Sequence, residues 1–216
     1  VTATTGLTVS AGTAAYNVVF NGSSNTIAGA TTFSNSGTVT FGNGGDTIAF
    51  TGGVTATAPS SKIINGTITA AGSGVINLGT SAVTISGDST VGGTSTGAIT
   101  LGAATLSTGT TLTVGTGIGN AITLGTVNGS GGTPNLTINT TGAVSVGAVG
   151  STIGTVTVTQ SGGTTFNSTV SAATITLSNS TVSSNITFSG NVTATTGLTV
   201  SAGTAAYNVV FNGSSN

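Results

Sequence analysis

The chain has 216 residues and a formal charge of −1, carried by Asp46, Lys62 and Asp88 alone, with no Cys, His, Met or Trp. That inventory withholds imidazole bases and thiol nucleophiles, and it leaves no basic stripe for phosphate backbones or anionic lipid. Although 37 glycines and few charges suit disorder, an apolar content of 36% predicts packed strands, and no run of about 18 apolar residues predicts a membrane-spanning helix.

The first segment, Val1–Asn25, returns unchanged as Val192–Asn216. Such identity predicts a tandem array, in which residues 1–191 form one full unit and residues 192–216 open the next. Each unit then stacks only on its neighbours.

Short strands follow at regular spacing. NVVFN at Asn17 and TVTFG at Thr38 lead to VINLG at Val75, AITLG at Ala98 and Ala121, AVSVG at Ala143, TTFNS at Thr164, NITFS at Asn185 and NVVFN again at Asn208. From Ala98 to Asn185 the starts recur at nearly even intervals. About nine coils of roughly 21 residues each therefore fill the unit. A second series keeps step: TLTV at Thr111, NLTI at Asn135, TVTV at Thr155, TITL at Thr174 and GLTV at Gly197. Between them lie GTGIGN, NGSGGTPN and TQSGG, glycine-rich turns suited to the positive φ of corners.

Alternation assigns the faces. Leu112, Val114, Ile175 and Leu177 share one side, and Thr111, Thr113, Thr174 and Thr176 the other, so the aliphatic side is interior. Helical periodicity is absent, and a sandwich does not explain a short period nested in a long one. The sequence predicts an all-β fold, a parallel β-helix (β-solenoid), advancing roughly 43 Å per unit at about 4.8 Å per coil. Its open ends present unpaired strand edges that a tandem array covers.

The stacked AITLG coils and Thr-aliphatic-Thr-aliphatic strands resemble the Gly/Ser/Thr/Asn-rich repeat regions of large bacterial surface proteins, including filamentous-haemagglutinin-like and autotransporter-like adhesins. The resemblance implies a secreted, extracellular or cell-surface, right-handed β-helix used for reach, attachment or matrix building. The expected function is a structural repeat of a long filament, giving stiffness and bundling. Its expected partners are identical units end to end and neighbouring filaments side by side, with no nucleic acid and no membrane insertion.

Candidate chemistry is sparse. Gly42-Asn43-Gly44-Gly45-Asp46-Thr47-Ile48 resembles part of the calcium-binding nonapeptide of RTX proteins, but it occurs once, whereas calcium takes about six to eight oxygen ligands. The expectation is a glycine-rich corner with a solvated Asp46 and no metal. Asp46 and Asp88 fall two coils apart, so no catalytic or cofactor-binding residue is assigned and no cofactor is expected. Lys62, after Pro59-Ser60-Ser61, reads as a lone solvated lysine without the neighbouring carboxyl that an isopeptide crosslink needs. It is also the sole trypsin site.

Tyr16, Phe20, Phe33, Phe41, Phe50, Phe166 and Phe188 read as core in preference to a sugar-binding groove. Asn-x-Ser/Thr triplets begin at Asn21, Asn65, Asn128, Asn135, Asn139, Asn167, Asn179, Asn185 and Asn191, and these read as turn formers. The alternative functions are ice binding and glycan binding. Ice binding would use the outward pairs Thr155/Thr157 and Thr174/Thr176 with Thr113, Thr137 and Thr199, which resemble the flat T-x-T array of some antifreeze solenoids.

Overall fold

The computed structural model describes every residue except Val182. Described residues form strands, turns and bends without a helix, because β-branched side chains favour the pleated surface and dense glycine makes helices costly. The strands assemble into a 14-stranded and a 10-stranded sheet, and pairing is parallel throughout, as in Val83 with Ala104, Leu112 with Leu136 and Ile99 with Ile122.

Three strand columns climb the molecule, and we call them faces. The first runs inward through Val18, Val39, Lys62, Val83, Ala104, Val127, Val149, Val170 and Val192. The second runs through Asn25, Ile48, Ile68, Val91, Val114, Ile138, Val158, Leu177 and Val200. Long strands such as Thr38–Phe50, Ser61–Ala70 and Val149–Gln160 cross from the first face to the second without a break. That continuity joins the two faces into one sheet.

The third face is the 10-stranded sheet, stacked through Leu7, Thr31, Val54, Ile76, Ile99, Ile122, Val144, Thr164, Ile186 and Val209. Coil length varies: a short coil carries the chain from Val144 to Thr164, and a long one from Leu7 to Thr31. Such a β-solenoid of about nine turns agrees with the sequence expectation. Its corners use glycines at positive φ, among them Gly115, Gly117, Gly131, Gly132 and Gly163 in the three turn sequences named above.

The strand series need one correction. VINLG and the run from AITLG to NVVFN at Asn208 do lie on the third face, but NVVFN at Asn17 and TVTFG at Thr38 lie on the first. Carrying Asn208 over to Asn17 as one column assumes that a unit holds a whole number of coils, and the pairing does not keep that register.

Inside, like residues stack on like. Val, Ile and Leu fill the middle coils at near-zero exposure, while Phe20, Phe33, Phe41 and Phe50 pack as one cluster with edge-on contacts. Full burial of each such side chain is worth about 1.5–3 kcal/mol, so stacked coils supply what no single coil could bury alone.

Candidate functional site

The exterior is built from ladders of hydroxyl groups. On the second face, Ser24, Thr47, Thr67, Thr90, Thr113, Thr137, Thr157, Thr176 and Thr199 are directly paired through nine layers. On the third, Thr8, Thr32, Thr55, Asn77, Thr100, Thr123, Ser145, Thr165 and Thr187 do the same. Threonine suits this position because it combines strand propensity with hydration and carries no charge.

Sequence spacing makes the second-face column look uneven, since turn lengths vary between coils, yet pairing makes it continuous. Beside it runs a second rank, Thr111, Asn135, Thr155 and Thr174, ending at Gly197.

A polar ladder that the sequence reading missed lies buried at the corner between the second and third faces. Ser95, Asn120, Thr140, Ser161 and Ser180 are each 0–2% exposed. Most reach back to the preceding coil: Ser95 Oγ donates to Gly74 O at 2.6 Å, and Asn120 Nδ2 donates to Ser95 O and Gly97 O, each at 2.7 Å. Thr140 Oγ lies 2.6 Å from Asn120 O and 2.7 Å from Ile118 O, which share its proton. Three of these hydroxyls also accept from the backbone two residues on, at Gly97 N, Gly142 N and Gly163 N. The recurring Ser/Thr-x-Gly at Ser95, Thr140 and Ser161 is therefore a legible signal, because a hydroxyl closing its own turn needs a compact residue after it.

Two of the three charged groups are not where the sequence reading puts them. Asp46 is 4% exposed and inward, and its Oδ2 accepts from Asn43 N at 2.8 Å. It braces the glycine-rich corner and is not solvated. Gly42 there has φ of +85°, and a Cβ on it would meet Asn65 O at 2.4 Å, so the turn requires glycine. Asp88 is exposed and its Oδ1 accepts from Thr111 N, one coil on. Asp46 pairs with Gly66, and the neighbouring Thr67 pairs with Thr90, so the two aspartates do lie two coils apart. Among the described residues no group of three or more His, Cys, Asp or Glu gathers.

Lys62 is fully buried in the valine column of the first face, and its Nζ has no hydrogen-bond partner among the described residues. It is not the solvated lysine of the sequence expectation. Desolvation lowers its pKa from the usual 10.5, because burial penalises the ammonium form. Alternation in SKIINGTITA explains the placement: Lys62 shares parity with Ile64 and Ile68, and the strand cannot turn one side chain out without turning all of them.

The phenylalanines read as core are 0–5% exposed, whereas Tyr16 is an exposed residue whose hydroxyl donates to Ser10 O. An open apolar hollow at the last coil is lined by Val192, Ala194, Leu198, Phe211 and Asn216. No helix of the described residues is long and apolar enough to cross a membrane.

Comparison with known proteins adds no relative. No protein-family model matches the sequence, and no curated protein or solved structure matches the chain.

Proposed function

We infer that the chain is a structural repeat of a long extracellular or cell-surface bacterial filament that gives stiffness, reach and attachment. The observation carrying this reading is a parallel stack of ten layers on the third face whose first and last coils have the same sequence. Continuous backbone ladders and aliphatic columns resist bending, while uncharged Thr/Ser/Asn ladders hydrate the surface independently of salt.

The exterior offers little electrostatic repulsion, and lateral association into sheaths or biofilm matrix follows. The function is mechanical, with no reaction to catalyse. Cryo-electron microscopy of native material tests it: filaments a few nanometres wide with layers about 4.8 Å apart are expected. Dispersed short particles would overturn it.

One observation favours a second reading, ice binding. From Thr111 to Leu177 the second face carries two parallel ranks of Thr, interrupted only by Asn135. Thermal hysteresis from the purified chain would support that reading, and its absence would leave the ranks as strand-stabilising surface.

A further inference from the structure

We propose that the open edge of Val192–Asn216 docks residues 26–50 of a following unit, and that each unit is thereby turned by one third of a coil from the one before. The proposal rests on the filament reading and sharpens it.

The coil Val1–Asn25 occurs twice, and the two copies show its two edges. Residues 1–25 are covered on their far edge, by Thr26 on Thr2, Thr31 on Leu7 and Val39 on Val18. Residues 192–216 are supported on their near edge, by Val170 under Val192, Ile175 under Leu198 and Ile186 under Val209. The partner missing from the last coil is therefore identified by the first.

The coil keeps its internal geometry in both places. Asn25 Oδ1 accepts from Val1 N at 2.8 Å, and its counterpart Asn216 Oδ1 accepts from Val192 N at 2.9 Å. The same asparagines donate to Gly22 O and Gly213 O at 2.7 and 2.8 Å. Tyr16 bonds to Ser10 O as Tyr207 does to Ser201 O.

What changes is the face. Thr2–Ala3, Leu7–Val9 and Val18–Phe20 occupy the second, third and first faces. Their counterparts around Val192, Leu198 and Val209 occupy the first, second and third. Every segment sits one face earlier, so a unit completes eight and two-thirds coils instead of nine.

Aromatic stacking agrees with the rotation. On the third face Phe166 and Phe188 stack at 4.9 Å and Phe188 and Phe211 at 5.1 Å, within 9° of parallel. Phe211 is the counterpart of Phe20, which stacks on Phe41 at 6.1 Å and 19°. A following unit turned by one third places its Phe41 on Phe211 and extends the column to four rings. An unturned unit would keep these two stacks on different faces. Phe20, so covered, is 5% exposed, whereas Phe211 is 41% exposed beside Leu198 at 37% and Val200 at 47%. This is the apolar area that docking removes from water.

The unit then rises about 42 Å, and three units return to the starting face after 26 coils, about 125 Å at the 4.8 Å layer spacing. Any outward feature faces three sides in turn, so filaments present the same surface for bundling in every direction.

Filaments carrying Asn43→Cys, in the exposed glycine-rich turn, labelled with maleimide-gold and imaged by cryo-electron microscopy, test this. Labels on three sides in succession, recurring on one side about every 125 Å, are expected. Labels in single file, about 43 Å apart, would overturn the rotation and leave the filament standing. Dispersed particles without filaments would remove the filament reading and this proposal with it. Helical symmetry of the unlabelled filament is an independent readout, a third of a turn per unit against none.

Discussion

In the first-face column, eight coils place Val or Ala inward and one places Lys62, whose buried amine finds no partner. At the corner between the second and third faces, five coils bury Ser, Asn or Thr, and carbonyls of adjoining coils accept from Ser95, Asn120, Thr140 and Ser180. Burial is equal in the two regions, and the availability of acceptors is not. Along a flat face the ladder uses the backbone carbonyls, so an inward polar group meets only side chains. Where the chain turns, carbonyls point across the corner and a short polar side chain can use them.

Substitutions test that contrast, and the largest effect belongs to the flat faces. Leu112→Ala, at a fully buried site between Ser89 and Leu136, is expected to cost about 2–5 kcal/mol in guanidinium unfolding, through lost burial and a cavity. An effect below that range would mean that neighbouring coils collapse into the space.

Thr140→Val keeps the shape and removes the hydroxyl from the carbonyls of Ile118 and Asn120 and from Gly142 N. The expected cost is about 1–3 kcal/mol, since Asn120 O and Gly142 N lose this partner, whereas Ile118 O keeps the N–H groups of Asn120 and Thr141. A neutral result would show that corner acceptors are dispensable. Lys62→Met should move stability the opposite way, raising it by up to about 3 kcal/mol on relief of an unpartnered amine, as seen in the same unfolding experiment. A loss would show that the ammonium has support that the fold does not reveal.

The smallest effect is a slope with pH. Burial holds the folded Lys62 pKa below 10.5, so the unfolded chain binds more protons and stability rises as pH climbs from the folded value toward 10.5. Tyr207, raised above 10.0 by its own burial, acts in the reverse sense at and above that pH, because the unfolded phenol ionises first. Unfolding midpoints measured on the approach to pH 10 should therefore rise in the native chain and stay flat in Lys62→Met.

Much of this architecture is written in the sequence where side-chain period and coil period agree. Thr111 to Gly197 and Ala98 to Asn208 repeat both, so the second and third faces are readable with their inward residues. The first face is not, because AVTI at Ala82, ATL at Ala104 and VNG at Val127 share no repeated motif, although their inward residues recur as evenly as those of the other two faces. Lys62 and Asp46 share parity with Ile64 and Ile48, so strand phase points them inward while their charge points them to solvent, and phase prevails. The corner ladder shows in sequence only as Ser or Thr with a glycine two positions on, at Ser95, Thr140 and Ser161. The offset between unit and coil escapes any reading that treats identical sequence as identical position.

Enclosure of Lys62 has a practical consequence. The only amine that any side chain provides in the 216 residues faces inward, out of reach of aldehyde fixatives, amine-reactive dyes and ester crosslinkers. A solenoid of this kind would pass through routine fixation and labelling unmarked, and a sample defined by those reagents would record its surroundings and leave it blank.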